Sequence, residues 1–421
     1  MKNAYIMLAN DISGMGGGQK YISNKLKFMT DKGWSAIVFS SKAGDIVIQD
    51  LKKYEKYITK VLVSAPLIYP DRVVNKTIDE IVNRIGQFDE AIIESCSGQM
   101  ALWGEILAER LNCKHMVHLL DERNDLVVPE GYLDFFRFKL NRKELSGINS
   151  MSLKMLFRNS EEIDENNSYY LPSFCVNVVE DIAIPKSICL YDNSIKLCCI
   201  GRLEKNYVSI VAKSFAELIR QYPNKKFSVL FIGDSSEKSY KKNISALFDG
   251  IDNVNLIMPG FIYPIPKALF GLVDVFVSSS GSATLSYRNN RPTISIDGND
   301  GKAIGVLGYT TFNALYRDCE EQVEPVFLLK EILFNNYLQN KEFTPKKEHV
   351  GINVLEKHIE FFDASNQEKL YYNVFDMECS GKDVRKKKLR MILGSKGYYI
   401  FHDPGMKFLK RVEKCLGLKD S

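Results

Sequence analysis

The sequence predicts an α/β protein made of two Rossmann-like domains. Short apolar runs rich in β-branched residues alternate with longer segments of helical period, which is typical of parallel sheets covered by helices. The same alternation begins again in the second half of the chain. With 421 residues, 45% of them hydrophobic and 26% charged, the chain is long enough to bury more than one core. This excludes a small disulfide scaffold, a fibre and a disordered chain.

Each half of the chain supplies five strand candidates. Those of the first half are Tyr5 to Leu8, Ala36 to Ser40, Val61 to Val63, Ala91 to Glu94 and Met116 to Leu120, with helices such as Gln19 to Lys32 and Gln99 to Leu111 between them. Those of the second half are Leu197 to Ile200, Val229 to Ile232, Val254 to Met258, Val273 to Val277 and Thr293 to Ile296. We therefore expect a first domain over 1–180, a second over 190–345 and a helical, basic extension over 346–421.

In doubly wound sheets, ligands bind beyond the carboxyl ends of the strands. Two such domains would face each other across a cleft, and the strand-to-helix loops are where chemistry is expected. The first of these loops runs from Asp11 to Gly18, where Gly16 and Gly17 offer backbone N–H groups at a helix start. A dinucleotide fingerprint would need glycine at position 19, which is Gln19. The glycines could also form a tight turn only.

The second loop, Gly201 to Tyr207, follows the first strand of the second half and precedes a helix with four apolar residues on one face. The guanidinium of Arg202 and the ammonium of Lys205 suit a diphosphate, because they neutralise the charge that grows on a departing nucleotide. Both cations could instead pair with Glu204 or with solvent.

The third loop, Ser278 to Thr284, leads from a strand into a helix. Its small residues supply N–H donors and hydroxyls for phosphate oxygens, and the helix dipole favours negative charge there. No lysine follows at P-loop spacing, which argues against a nucleoside triphosphatase. An ordinary strand-to-helix turn with a serine N-cap is the alternative.

These loops, in this order and at these separations, resemble bacterial glycosyltransferases of the two-domain GT-B fold, most closely glycosyltransferase family 4. The resemblance covers about residues 3–310. It is clearest in Gly16-Gly17-Gly18, Cys199 to Leu203, Phe227 to Asp234, Asn255 to Phe261 and Val273 to Ser278. It implies a transferase that takes a sugar from a nucleotide donor held by the second domain to an acceptor held by the first, with retained anomeric configuration and without a metal or cofactor.

The same resemblance implies roles for individual residues. Arg202 matches the arginine placed on the donor diphosphate, and Lys205 lies beside it. The segment Gly260-Phe261 matches the one that lies against the nucleobase. The glycine-rich loop, with Gly16 and Gly17, matches the one beside the diphosphate and the acceptor. The third loop contributes four further donor-binding candidates: Gly281, Ser282, Ala283 and Thr284.

Two polar residues near the end of the fifth strand are catalytic candidates. His118 and Asp121 fall near where relatives carry a polar residue beside the transferred sugar. A carboxylate just beyond a strand end can accept hydrogen bonds from sugar hydroxyls, which favours Asp121. His118 could equally be a histidine satisfied inside an apolar strand.

The sequence departs from the family pattern in two places. The family's lysine, five residues after the loop-two arginine, is replaced by Tyr207, and its paired glutamates are missing between Ser278 and Arg291. Either the donor site is divergent, with Ser282, Thr284, Tyr287 and Arg288 as replacement contacts, or the chain no longer catalyses.

The net charge of +4 conceals a strongly basic tail. Residues 381–421 hold 12 Lys or Arg against 4 Asp or Glu, whereas the preceding 380 residues hold 44 against 48. Residues 406–416 form an expected helix with Phe408, Leu409 and Val412 on one face and lysines and Arg411 on the other. Such a segment binds anionic bilayers or, alternatively, packs on the first domain. A nucleic-acid partner is not expected.

Nine cysteines without metal-ligand spacing predict reduced, buried thiols in a cytoplasmic protein. The apolar stretch after Met1 is too short for a secretory signal, and no apolar run approaches a membrane span. The resulting hypothesis is a retaining, hexosyltransferase-like glycosyltransferase at the inner face of the cell membrane that extends a lipid-linked glycan in bacterial surface polysaccharide, capsule or lipopolysaccharide synthesis. The alternatives are a GT-B pseudoenzyme that binds an active transferase and a nucleotide-sugar epimerase.

Overall fold

The protein divides into two compact units in a computed structural model. Met1–Phe174 and His349–Ser421 form the first unit, and Cys175–Glu348 form the second. The structure describes residues 3–41, 46–121, 124, 128–158, 163, 169–175, 179–235, 237–345, 351–377, 387–388 and 391.

A seven-stranded parallel sheet forms the centre of the first unit, in the order β3-β2-β1-β4-β5-β6-β7. Its strands are β1 (Asn3–Ala9), β2 (Ser35–Ser40), β3 (Glu55–Ile58), β4 (Glu90–Ser95), β5 (Lys114–Leu119), β6 (Leu145–Gly147) and β7 (Tyr169–Tyr170). The helices between them are α1 (Gly17–Asp31), α2 (Asp71–Ile85), α3 (Gly98–Leu111), α4 (Leu133–Asn141) and α5 (Ser150–Leu156). Both faces of β1 are covered: Ala4, Ile6 and Leu8 belong to an apolar cluster with α2 and α3, and Tyr5 and Met7 on the opposite face are also fully buried.

The second unit contains a six-stranded sheet in the order β11-β10-β9-β13-β14-β15 and a two-stranded β12-β8 pair. Its strands are β8 (Val179–Glu180), β9 (Ile195–Ile200), β10 (Phe227–Ile232), β11 (Val254–Gly260), β12 (Ile265–Pro266), β13 (Val275–Ser278), β14 (Thr293–Ile296) and β15 (Ala303–Val306). Its helices are α6 (Asn206–Gln221), α7 (Lys238–Ala246), α8 (Lys267–Leu272), α9 (Ser280–Arg288) and α10 (Pro325–Phe334). The two α/β units with parallel sheets confirm the predicted fold class.

The periodicity that predicts α6 is also confirmed. The four residues expected on one face, Val211, Phe215, Leu218 and Ile219, are all fully buried. They pack against the sheet together with Leu328 and Leu329 of α10. The strand-to-helix connection before α6 is therefore held in place by a continuous apolar face.

After the second unit, the chain returns to the first. Helix α11 (Gly351–Ala364) buries Leu355, Phe361 and Phe362. Lys114 of β5 donates from Nζ to the Phe362 carbonyl over 2.7 Å, and the amide of Tyr372 donates to Glu105 of α3 over 2.8 Å. The first unit is thus completed by residues from the far end of the sequence.

Two sequence expectations about strands are wrong. Val61 to Val63 is not a strand but part of the 3₁₀ helix Lys60–Val63, where the Thr59 side chain caps the Val61 amide and Val63 is exposed. The short apolar run predicts a strand because it is indistinguishable from one by composition. In addition, β15 runs antiparallel to β14, so the second sheet is not wholly parallel.

The expectation of buried thiols is partly wrong. The described cysteines are all free, but Cys189 and Cys319 are exposed, whereas Cys96, Cys113, Cys198 and Cys199 are buried. The basic segment 381–421 lies outside the described residues apart from Lys387, Lys388 and Met391.

Candidate functional site

The sheet order of the second unit creates a topological switch point between β9 and β13. The strands next to β9 continue toward β11 on one side and toward β14 on the other. At the carboxyl ends, the Ile200 amide donates to Oγ of Ser278 over 3.0 Å, which fixes the two strand ends together. In open α/β sheets the ligand crevice lies at this point. The loops that begin at Gly201 and Ser279 are therefore the candidate site.

Three glycines form the floor beside this switch point. The Gly201 amide donates to the Ile232 carbonyl over 2.9 Å, and the Gly233 amide donates to the Gly260 carbonyl over 3.0 Å. A Cβ on Gly233 would lie 2.0 Å from the Gly201 carbonyl oxygen, so the two backbones are in direct contact. Gly260 has a φ of +89°, which favours glycine. Phe261 follows it with 36% of its surface exposed.

Arg202 and Lys205 lie on the loop after β9. Arg202 Nη1 is 3.1 Å from Oε1 of Glu204, and the Arg202 side chain is 45% exposed. Lys205 is exposed and is the N-cap residue of α6. The pairing of Arg202 with Glu204 is the alternative that the sequence left open. Because the guanidinium keeps an exposed face, the pair does not occupy all of its donors.

Tyr207, at the family's lysine position, points toward the end of β9. Its hydroxyl donates to the Ile200 carbonyl over 3.2 Å, and a Cβ on Gly201 would lie 2.1 Å from that hydroxyl. Burial raises the pKa of the Tyr207 hydroxyl, so it stays neutral. Tyr207 therefore fills the space above Gly201 and brings no positive charge.

The start of α9 is the part of the third loop that is open to a ligand. Gly281 is exposed, a Cβ on it would meet nothing within 4 Å, and the first turn contains no acidic side chain. The hydroxyl of the N-cap residue Ser279 is buried and has no hydrogen-bond partner among the residues that the structure describes. The Ser280 amide, at a φ of +55°, donates to the Ala314 carbonyl over 2.5 Å.

The four third-loop candidates therefore differ in accessibility. Gly281 and Ser282 present their amides at the helix start, where the dipole favours an anion. Ala283 is fully buried, in an apolar cluster with Tyr287 and Leu307. The Thr284 hydroxyl donates to the Ser280 carbonyl over 3.2 Å.

In the first unit, Gly16 and Gly17 lie at the start of α1. Gly16 is the extended N-cap residue of that helix, and no side chain caps it. The Asp11 carboxylate accepts from the amide and the hydroxyl of Ser13, over 2.8 and 2.5 Å. The loop is thus held by its own side chains while its glycines stay partly or fully accessible.

The two catalytic candidates have different surroundings. His118 is 2% exposed within β5, and its Nδ1 lies 3.0 Å from Oγ of Ser146. Burial lowers the pKa of His118 to about 4, so the ring is neutral at pH 7. Asp121, beyond the end of the strand, is exposed. This geometry favours a structural role for His118 and leaves Asp121 as the accessible candidate.

Two further properties bear on the site. Within the described part of the chain, no three His, Cys, Asp or Glu side chains come together as a metal site. No helix there is both long and apolar enough to span a membrane.

Comparison with known proteins shows similarity in fold only. No protein-family model and no curated protein matches the sequence. The chain is similar to the solved structure of a glycosyltransferase from Rickettsia africae ESF-5, with 15% identity, coverage of 93% of this chain and 99% of that chain, and a TM-score of 0.55. The chain is also similar to HepE from Anabaena, solved in complex with UDP-glucose. The identity is 14%, the coverage is 85% of this chain and 99% of that chain, and the TM-score is 0.54.

A putative UDP-N-acetylglucosamine 2-epimerase from Listeria monocytogenes is also similar, with 11% identity, coverage of 88% of this chain and 100% of that chain, and a TM-score of 0.50. The chain thus has the fold of these three proteins over almost their entire length. The finer assignment to glycosyltransferase family 4 stays a prediction.

Proposed function

We propose that this chain is a retaining glycosyltransferase that moves a sugar from a nucleotide-sugar donor to a glycan acceptor. The observation that carries the proposal is the open, carboxylate-free start of α9 at Gly281, across the β9–β13 switch point from Arg202. A helix N-terminus and a guanidinium on the two sides of one crevice are suited to a diphosphate.

The resemblance to GT-B glycosyltransferases supports roles for the remaining candidates. Gly260 and Phe261 would lie against the nucleobase, and the accessible Asp121 would bind the transferred sugar. Neither a metal nor a cofactor is required, because Arg202, Lys205 and the amides of α9 would neutralise the leaving diphosphate. Activity that persists in EDTA would support this, and activity that depends on added Mg²⁺ would contradict it.

The first test is binding of UDP and UDP-glucose, which are suitable probes because HepE is solved with UDP-glucose. Binding to the folded state raises the melting temperature by mass action, so either ligand at millimolar concentration should shift it. We expect Arg202→Ala to weaken UDP binding by about 1.5 to 3 kcal/mol, the value of a lost charged hydrogen bond. Lys213→Ala, on the exposed face of α6, is the matched control. No shift with any nucleoside diphosphate or nucleotide sugar would reject the proposal.

The absence of the paired glutamates favours a second candidate, a GT-B pseudoenzyme that binds an active transferase. The two candidates differ in turnover. A transferase releases UDP from UDP-glucose when the acceptor is present, whereas a pseudoenzyme binds the donor and releases none. An epimerase would instead change the configuration of the donor sugar without an acceptor.

We further propose that the acceptor is lipid-linked, in a surface-polysaccharide, capsule or lipopolysaccharide pathway, and that residues 381–421 bind an anionic membrane. Their surplus of Lys and Arg supports this, since each cation near an anionic surface contributes about 1 kcal/mol. Flotation with anionic liposomes, compared between the full chain and a chain ending at residue 380, tests it. Equal flotation of both chains would contradict the proposal.

A further inference from the structure

A short segment after β15, residues 311–317, lies beside the start of α9. The Ala314 carbonyl accepts the Ser280 amide over 2.5 Å, and the Leu315 carbonyl accepts the Gly298 amide over 2.7 Å. Ala314 also packs against the apolar cluster formed by Ala283, Tyr287 and Leu307. The 311–317 segment therefore borders both the helix start proposed to bind phosphate and the loop after β14.

Both ends of this segment are fixed by polar contacts. The Glu320 carboxylate accepts the Thr311 hydroxyl and, over 2.8 Å, the Asn313 side-chain amide. The Arg317 amide donates to Oδ2 of Asp297 over 2.7 Å, and Arg317 Nη1 donates to Asp300 over 2.9 Å. With these bonds on each side, the backbone position of the segment is determined independently of a ligand.

Two aromatic side chains on the fixed segment are exposed to solvent. Phe312 is 47% exposed and Tyr316 is 39% exposed, and they stand on either side of Ala314. Tyr316 is kept near the sheet by the β14 loop, where a Cβ on Gly298 would lie 3.3 Å from its ring. An aromatic side chain has only two rotatable bonds and binds at low entropic cost, so two exposed rings on a fixed backbone beside an anion site can contact a further ligand group.

The sheet order fixes where along the carboxyl edge each group lies. Exposed Phe261 follows β11, the start of α9 follows β13, and Leu315 and Arg317 bond to the loop after β14. At about 4.8 Å per strand, the helix start is about 14 Å from the end of β11 and about 5 Å from that of β14. A base, a diphosphate and a sugar in one row match this order: aromatic side chain, anion site, aromatic side chains.

We propose that Phe312 and Tyr316 form the platform on which the pyranose ring of the donor sugar packs. The apolar C–H face of a pyranose suits an aromatic ring. The inference rests on the proposed nucleotide-sugar function. It adds the residues that would contact the donor sugar and not the nucleotide.

Calorimetric titration of the full chain with UDP and with UDP-glucose tests the platform. Phe312→Ala and Tyr316→Ala should each raise the Kd for UDP-glucose by about tenfold, as a lost aromatic contact predicts, while the Kd for UDP changes less than about twofold. Tyr316→Phe keeps the ring and should keep most of the affinity. Phe327→Ala, at a 54% exposed ring on α10, is the control and should change neither value.

The outcomes distinguish failure of this inference from failure of the proposed nucleotide-sugar function. Selective loss of UDP-glucose affinity in variants whose circular dichroism and UDP affinity match the wild type supports the platform. Unchanged affinity for both ligands, or an equal loss for both, overturns it. If the wild-type chain binds neither these ligands nor any other nucleoside diphosphate or nucleotide sugar, the proposed function fails and the platform fails with it.

Discussion

Inside the first unit, Tyr21 donates a 2.6 Å hydrogen bond from its hydroxyl to Oε1 of Glu94. The Tyr5 hydroxyl donates to Oε2 of the same carboxylate, and Lys25 Nζ lies 3.8 Å from it. The Tyr21 hydroxyl is also 3.2 Å from Nδ1 of His358 on α11. We refer to Tyr5, Tyr21, Lys25, Glu94, His118 and His358 as the Glu94 cluster; it joins the returning helix to the sheet.

The charge of Lys25 should stabilise the first unit mainly by compensating Glu94. Burial lowers the pKa of Lys25 to about 8, yet the amine is still charged at pH 7. Lys25→Met leaves a buried carboxylate unpaired and should cost about 3 to 5 kcal/mol. Urea denaturation followed by tryptophan fluorescence measures this selectively, since both tryptophans, Trp34 and Trp103, belong to the first unit.

A surface pair on the same helix provides the comparison for Lys25. Lys27 pairs with Asp31 over 2.8 Å while both are exposed, so Lys27→Met should cost about 0.5 kcal/mol or less. Adding Glu94→Gln to Lys25→Met should recover part of the loss because it removes the unpaired charge. Equal costs at positions 25 and 27 would contradict the assignment.

The first unit should lose stability in mild acid. Burial, with Lys25 as a further cause, lowers the pKa of His118 to about 4 and that of His358 further, below the ordinary value of about 6.5. Glu94 is the carboxylate that acts in the opposite direction on His118. Between pH 6.5 and pH 4 the unfolded chain binds protons that the folded chain does not. The free energy of unfolding therefore falls as the pH falls. Each of the two histidines contributes about 1.4 kcal/mol for every pH unit in this range.

Urea denaturation between pH 7.5 and pH 5 measures this slope. His118→Asn should reduce it by the share of one histidine, because asparagine can still bond to Ser146 but does not titrate. An identical slope in the variant would exclude His118 from the pH dependence.

Glu105 should hold the segment after α11 in place. It accepts from Lys139 Nζ over 2.5 Å, lies 2.7 Å from His115 Nδ1 and accepts the Tyr372 amide over 2.8 Å. Burial alone would raise the pKa of Glu105. The neighbouring Lys139 and His115 outweigh burial and lower that pKa to about 2. Glu105→Gln should cost about 3 kcal/mol, the lower end for breaking a buried ion pair.

The same substitution should accelerate hydrogen exchange at the Tyr372 amide. Glu109→Gln, an exposed position on the same helix, is the control. Unchanged exchange at Tyr372 in Glu105→Gln would show that the segment is held by other contacts.

Gly233→Ala should disrupt the floor of the candidate donor site. Its φ is +151°, and a Cβ would lie 2.0 Å from the backbone oxygen of Gly201, which cannot move aside as a flexible side chain could. Gly250→Ala is the control: at a φ of +72° it introduces backbone strain, but its Cβ would meet no atom within 4 Å. We expect Gly233→Ala to lower the melting temperature of the second unit more than Gly250→Ala in scanning calorimetry. The reverse order would contradict the contact.

Tyr207→Phe should leave donor binding intact. It removes one 3.2 Å hydrogen bond to the Ile200 carbonyl and should cost about 1 kcal/mol of stability. Lys205→Ala, two residues earlier and exposed, should instead weaken UDP binding several-fold if this lysine contacts the diphosphate. Weaker UDP binding in Tyr207→Phe than in Lys205→Ala would place the tyrosine in the site.

Sequence reasoning finds those parts of this fold that depend on local pattern. Nine of the ten predicted strands overlap observed ones, because continuous apolar runs are what a doubly covered parallel strand requires. It fails at Val61 to Val63, where three apolar residues carry too little periodicity to distinguish a strand from a 3₁₀ turn.

The sequence predicts the loops of the candidate site but not the residues that pack against them. Glycine and serine after a strand mark a helix start, but nothing local indicates that Ala314, more than thirty residues later, accepts the Ser280 amide. The Glu94 cluster was missed for the same reason. A single glutamate inside an apolar strand is a signal that could have been followed, although its partner His358 is distant in sequence. Long-range pairing of this kind is decided by tertiary packing.

The return of α11 also has a consequence for synthesis on the ribosome. The second unit is one continuous stretch, 175–348, and all of its chain has been synthesised before α11 is made. The first unit must wait, because Phe362 and His358, which contact Tyr5 and Tyr21, are made only after the whole second unit. Of the two units, the one whose synthesis begins first therefore completes its core second, the reverse of the usual vectorial order.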